Sequence, residues 1–153
     1  MLTSKFSRWA WLLLAVVFLL ASCGCSALPD TVRVIRVVDG DTIVVQGDYR
    51  VRYIGINTPE IHPYLEAGGV EAWQANRQLV EGKRVRLERD VSETDRYGRL
   101  LRYVYVDGVF VNAELVREGL ARAKAYPPDT GYQDYLEEME QQARLAGRGM
   151  WAE

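Results

Sequence analysis

The chain has 153 residues, 48% of them hydrophobic and 26% charged, with a formal net charge of −2. That hydrophobic share supports a packed core and excludes a disordered chain, and a charge this close to neutral excludes a protein that holds polyanions by bulk electrostatics alone. Two cysteines, Cys23 and Cys25, and one histidine, His62, exclude a disulfide framework, a thiolate zinc site in the folded part and any mechanism built on a histidine pair.

Met1 to Ser22 has the form of an export signal, with Lys5 and Arg8 at a positive start and an apolar run from Trp9 to Leu20. That run holds only twelve residues, whereas a helix needs about 20 to cross a bilayer, so no permanent span is expected. The following Leu20-Ala21-Ser22-Cys23 resembles the lipobox of bacterial lipoproteins, where cleavage precedes a cysteine whose sulfur takes a diacylglyceryl group. The resemblance implies a leader over residues 1–22, a mature chain starting at a lipidated Cys23, and a membrane partner reached through the lipid. Two or three acyl chains hold a small domain stably at a membrane where one does not. An ordinary secretion signal, cut a few residues later, is the competing reading. The expected location is outside the cytoplasmic membrane: anchored on its outer side, in the outer membrane or periplasm, or released to the extracellular space.

Removing the leader leaves 131 residues, the size of one domain with a real core, and takes the net charge to about −4. Residues 23–30 read as the lipidated cysteine and a short polar tether containing Pro29, and residues 31–153 as the domain. Thr31 to Val38 and Thr42 to Gln46 are rich in β-branched residues around Asp39-Gly40-Asp41, a tight-turn signal. Gly47-Asp48 turns into a third strand, Tyr49 to Ile56, where Tyr49, Val51 and Tyr53 alternate with Arg50 and Arg52. Thr58 to Gly69 is too rich in proline and glycine for either periodicity and is expected to be a loop. Helical spacing resumes over Val70 to Glu81, and Gly82 ends it.

Lys83 to Asp90 alternates as a fourth strand, and Arg99 to Val106 forms a fifth, closed by Asp107-Gly108. Asn112 has the character of a helix N-cap before Ala113-Glu114-Leu115-Val116, with Gly119 as the stop. Thr130 and Gln133 have capping-box spacing before a last helix whose apolar stripe is Tyr132, Tyr135, Leu136, Met139 and Ala143. Trp73 and Trp151 are expected to be packing anchors. The fold class that follows is α+β, mainly β: a five-stranded OB-type Greek-key barrel with three helices. Such a barrel binds oligomers but does not name a reaction.

Four clusters carry chemistry when taken together: Asp39-Gly40-Asp41-Thr42, Arg52 with Asn57-Thr58-Pro59-Glu60, Asp95-Arg96-Tyr97-Gly98-Arg99, and Tyr126. Each alone has a plain structural explanation as a turn, a loop or a hairpin tip. Arginine greatly outnumbers lysine, which suits planar, bidentate recognition of phosphate or carboxylate, although most of these arginines are expected only to cover strand surfaces. Asp41, the Asn57 amide oxygen and a main-chain carbonyl are hard oxygen donors, suited to Ca²⁺ or Mg²⁺ rather than Zn²⁺.

In order and spacing, these clusters resemble the thermonuclease family, the staphylococcal nuclease-like proteins. The resemblance runs from about Val32 to Trp151 and includes Val111-Asn112, Leu115-Val116 and Gly119-Leu120-Ala121. It implies a metal-dependent nuclease hydrolysing phosphodiester bonds of DNA, RNA or both. In such an enzyme Asp41, Asn57 and the Thr58 carbonyl hold Ca²⁺, with Mg²⁺ as the alternative. Glu60 matches the proposed general base, Arg52 and Arg99 the two arginines on the scissile phosphate, and Tyr97 a nucleotide contact flanked by Arg96. Tyr126 aligns with one of two tyrosines near the nucleotide and Lys124 stands near the other, while a core position for Tyr126 remains the alternative. The family pattern has aspartate where this chain has Asn57, which implies weaker calcium binding or a shifted metal preference. Single-stranded or frayed nucleic acid is the expected partner, and a monomer the expected state. The rival reading is a non-catalytic oligonucleotide-binding OB module; it predicts gaps at Arg52, Glu60 or Arg99, and all three are filled. His62, a lone loop histidine, is expected to be solvated.

Overall fold

The computed structural model describes residues 29–152; the leader, Cys23 and most of the tether, with the expectations placed on them, lie outside the described residues. Strand β1 (Thr31–Asp39) runs antiparallel to β2 (Thr42–Val45), which pairs antiparallel with β3 (Tyr49–Tyr53). On its other edge β1 pairs with β5 (Arg84–Glu88), and β5 with β6 (Leu100–Val106), again antiparallel. A parallel pairing of β3 with β6 closes the circle, with Val51 opposite Leu100 and Arg52 opposite Leu101. The result is a five-stranded closed mixed barrel, so none of its strands leaves a long unpaired edge.

Alternation along the strands explains the core. Val32, Val34 and Val37 of β1, Val51 and Tyr53 of β3, Val85 and Leu87 of β5, and Val104 and Val106 of β6 are all buried, as expected of side chains alternating in and out of a barrel wall. Helix α1 (Gly69–Val80) packs on β1 through Ala72, Asn76 and Val80, a spacing that puts one stripe on the barrel. Helix α2 (Val111–Arg117) lies on β6 and meets α3 (Gln133–Leu145). A 3₁₀ turn, Gly149–Trp151, follows α3. Among the described residues no helix is long and apolar enough to cross a membrane.

Several local expectations need correction. The third strand stops at Tyr53, and after Ile54-Gly55 a separate two-residue strand β4 (Ile56–Asn57) pairs with β8 (Arg122–Ala123). Another short strand, β7 (Val109–Phe110), extends the β6 edge and leads directly into α2. Asn112 does not cap α2: Phe110 holds that position, and the Asn112 side chain is buried inside the helix. Its Oδ1 accepts the Val104 N–H at 3.0 Å, and its Nδ2 donates to the Ile54 carbonyl at 2.9 Å. Tyr132, not Thr130, precedes α3, where no side-chain capping bond forms. Of the expected stripe, Leu136, Met139 and Ala143 are buried, whereas Tyr135 is exposed and lies flat against Phe110. Trp73 and Trp151 are half-buried, and Trp73 donates to the Val37 carbonyl at 3.3 Å.

Asn112→Ala is expected to lower stability by about 2–4 kcal/mol, because it leaves an N–H and a carbonyl unpartnered in the core. Thermal unfolding followed by circular dichroism would register a fall of roughly 10 °C; a melting point within about 2 °C of the parent would show that the amide contributes nothing.

Candidate active site

The barrel register builds one side of the site. Thr42 sits opposite Arg52, and the Tyr53 N–H donates to the Asp41 carbonyl at 2.9 Å, so the β1–β2 turn and the Arg52 side chain become neighbours. Asn76 fixes that turn from α1: its Nδ2 donates to the Asp39 carbonyl at 3.1 Å while its Oδ1 accepts the Tyr53 hydroxyl at 2.9 Å. Gly40 has no room for a side chain, since a Cβ there would lie 2.7 Å from the Thr58 side chain. This close approach brings the Thr58 segment against the turn.

Asp41 is buried and heavily engaged. One oxygen, Oδ2, accepts the Thr58 N–H at 2.9 Å and the Thr58 hydroxyl at 3.0 Å, and Oδ1 accepts the Thr42 hydroxyl at 3.2 Å. Arg52 forms an ion pair with Oδ2 through Nη1, and its Nη2 donates to the Asn57 Oδ1 at 3.0 Å. The Asn57 Nδ2 in turn donates to the Thr58 carbonyl at 3.3 Å. Nη1 of Arg52 is buried and, apart from its ion pair with Asp41, has no hydrogen-bond partner among the described residues. Asp39 stands beside this cluster with its pKa pushed up to about 6, chiefly by burial and then by the neighbouring Asp41 charge.

The opposite side comes from the hairpin joining β5 to β6. Asp95 organises it by accepting the main-chain N–H groups of Tyr97 at 2.9 Å and Arg99 at 3.0 Å, while the Arg99 Nε donates to it at 2.6 Å. Burial works against the Asp95 charge, but these bonds from Arg99 and Tyr97 outweigh it and hold the carboxyl below its usual range. The terminal nitrogens of Arg99 have no partner among the described residues. The Tyr97 ring is 67% exposed, with the guanidinium groups of Arg96 and Arg99 4.7 and 5.6 Å from its centroid. Such an open ring is a platform for a base. Tyr126 stands across the opening with its hydroxyl 3.5 Å from the Asn57 Oδ1 and Lys124 5.3 Å from its ring centroid. It is exposed rather than a core residue. Buried Asp129 accepts the N–H groups of Val91 and Ser92 and pairs with Tyr126 across a tight turn, tying the Tyr126 segment to the hairpin.

These groups line one open cleft of about 550 Å³ that contains Asp39, Asp41, Arg52, Asn57, Glu60, Asp95, Arg96, Tyr97, Arg99 and Tyr126. Of the candidate residues named from the sequence, Asp41, Arg52, Asn57, Glu60, Arg96, Tyr97, Arg99 and Tyr126 face it, whereas Thr58 lines a smaller cleft shared with Arg122 and Glu66, and Lys124 lines neither. Exposed His62 is on neither. The Glu60 carboxyl is raised above its ordinary pKa, first by burial and next by Asp41, with Arg52 and Arg99 pulling the other way. Asp39 and Asp95 belong to clusters singled out in the sequence but have no role assigned there, and Asp129 is a site residue that sequence reasoning missed; the four-residue spacing from Asp95 to Arg99, which closes a tight hairpin tip, is the available signal for the role of Asp95.

Among the described residues there is no cluster of three or more His, Cys, Asp or Glu side chains of the kind that holds a metal. The oxygen set of Asp41, Asn57 and the Thr58 carbonyl fits a hard cation on different grounds. Oxygens of Asp41 and Asn57 already converge on one positive group, the Arg52 guanidinium, and hard oxygen donors without nitrogen or sulfur competitors suit Ca²⁺ and Mg²⁺.

A family model described as "Staphylococcal nuclease homologue" matches residues 50–153, which include Arg52, Asn57, Glu60 and Arg99. The thermonuclease of Staphylococcus hyicus is 41% identical over 142 residues, covering 86% of this chain and 82% of its own length. The thermonuclease of Staphylococcus intermedius is 39% identical over 126 residues, covering 76% and 73%. Endonuclease YncB of Bacillus subtilis is 40% identical over 129 residues, covering 76% of this chain and 59% of its own.

Proposed function

From the chain's membership of the staphylococcal nuclease family, we propose that it is a nuclease that hydrolyses phosphodiester bonds of DNA, RNA or both at the cell envelope, using Ca²⁺, with Mg²⁺ as the alternative ion. The observation that carries this reading is the convergence of Asp41, Glu60, Arg52 and Arg99 on one cleft. The envelope location rests on the lipobox-like segment ending at Cys23, which would tether a monomeric domain to the membrane through residues 23–30.

Asp41, Asn57 and the Thr58 carbonyl would hold the cation, which supplies Lewis-acid polarisation of a phosphoryl oxygen. Glu60, its proton affinity lifted by burial and by Asp41, accepts a proton from the attacking water. Arg52 and Arg99 present planar forks to the phosphate. Charge gathers on the oxygens as phosphorus becomes five-coordinate, so these contacts strengthen in the transition state more than in the bound diester. Asp95 keeps the Arg99 fork aimed, because the Nε is tied back at 2.6 Å while the terminal nitrogens stay free of partners among the described residues. Arg96, Tyr97 and Tyr126 flank the opening and would hold neighbouring nucleotides by stacking and charge. Such contacts favour single-stranded or frayed substrates over groove recognition.

The test is cleavage of single-stranded DNA, duplex DNA and RNA by the purified protein, with Ca²⁺ or with a chelator. Loss of cleavage on chelation and recovery on adding Ca²⁺ is the expected result; binding that weakens steeply with salt and is never followed by cleavage would instead identify an oligonucleotide-binding module. Within the same assay, Asn57→Asp adds a negative charge to the oxygen set and should lower the half-saturating Ca²⁺ concentration roughly threefold or more. An unchanged value would show that position 57 is not felt by the ion.

A further inference from the structure

We infer that Glu66 is a positioning residue for Glu60, fixing the main chain from which the base projects; this rests on the reading of Glu60 as the base. The Glu66 Oε2 accepts the Glu60 N–H at 3.0 Å, and the Glu66 N–H donates to the Glu60 carbonyl at 2.9 Å. The loop between them is therefore closed by two bonds made by the same pair of residues. Its far end stands on α1: the Gly69 N–H donates to the Glu66 carbonyl at 3.1 Å, and a Cβ on Gly69 would lie 2.6 Å from the Glu60 carbonyl oxygen. The first residue of a helix seated on the barrel thus touches the main chain of the base.

The Glu60 side chain itself has no hydrogen-bond or ion-pair partner among the described residues. The region its carboxyl can reach is consequently limited by the position and direction of its Cα–Cβ bond, and these by the backbone at residue 60. Glu66 has no arginine or lysine partner among the described residues either. Its one described side-chain bond goes to the Glu60 N–H. A carboxylate accepting a main-chain N–H makes a charge-assisted bond, stronger than a neutral one, on a segment where no helix or strand between Asn57 and Gly69 fixes the path. Small errors in the placement of a reacting group are costly: a displacement of about 1 Å can slow a reaction roughly a hundredfold.

The experiment compares the full chain with Glu66→Ala, Glu66→Gln and Glu60→Ala. It measures kcat and KM on single-stranded DNA at saturating Ca²⁺, the melting temperature, and hydrogen exchange of the Glu60 amide by NMR. Glu66→Ala is expected to lower kcat about tenfold to a hundredfold, to leave KM within about twofold, and to speed exchange of the Glu60 amide at nearly unchanged melting temperature. Glu66→Gln keeps a carbonyl acceptor and should restore most of both the rate and the protection. An inactive Glu60→Ala alongside a Glu66→Ala whose kcat stays within about twofold of the parent would overturn the inference while leaving the base assignment intact. A fully active Glu60→Ala would overturn the base assignment instead, and the inference with it. If Glu66→Ala fails to fold, Glu66→Gln decides: a folded variant with a protected amide and a tenfold lower kcat would also overturn the role described.

Discussion

Replacing Glu60 with glutamine is expected to lower kcat about a thousandfold while leaving KM within a few-fold of the parent. Glutamine keeps the size, the polarity and the main-chain bonds of residue 60 but cannot take a proton at neutral pH. General-base catalysis by a placed carboxylate contributes about 10²–10⁴ in rate. A thousandfold loss lies at the middle of that range, and a proton affinity raised by partial desolvation and Asp41, against the pull of Arg52 and Arg99, suits the role of base. Substrate affinity should barely change, since the proposed phosphate contacts belong to the arginines. Single-turnover cleavage at saturating Ca²⁺ checks this, and a loss of less than about tenfold would remove Glu60 from the chemistry.

Arg52→Lys should cost at least about a hundredfold in kcat even though the charge is kept. The guanidinium spans two oxygens, on Asp41 and Asn57, with separate nitrogens, and has the planar fork that a phosphate in transition requires. An ammonium is a point donor on a longer flexible stem and cannot serve two neighbours and a phosphate in one plane. The half-buried position of Arg52 sharpens the contrast, because a misaligned cation away from water recovers little hydration. The comparison is of kcat in protein shown by circular dichroism to be folded; a lysine variant within threefold of the parent would mean that Arg52 acts only as a charge.

The barrel strands were legible because their signal is local: β-branched alternation, Asp-Gly and Gly-Asp turns, and arginines facing out opposite valines facing in. The pairing of β3 with β6 had no such signal, since parallel contact between residues far apart in the chain leaves no periodicity behind. Asn112 misled for a physical reason. An asparagine beside the start of a helix is equally suited to capping it and to bridging two core strands, and only the packing of α2 on β6 chooses. Arg102 is the exception to the expectation of surface arginines: it is 7% exposed and paired with Glu93 and the Glu93 and Leu101 carbonyls. The alternation of β6 places it in step with buried Leu100, Val104 and Val106, but its charge argues for the outer face. In the site, the residues proposed to meet substrate could be named by type and spacing, whereas Asp129 and Glu66, which accept main-chain N–H groups of other segments, become visible only with the loops in place.

The seam between β3 and β6 has a consequence for the cell that makes this protein. The two guanidinium groups lie on opposite flanks of that seam, so they share an opening only after residues 100–106 have been synthesised and laid beside residues 49–53. A half-made chain on the ribosome therefore lacks the assembled cleft.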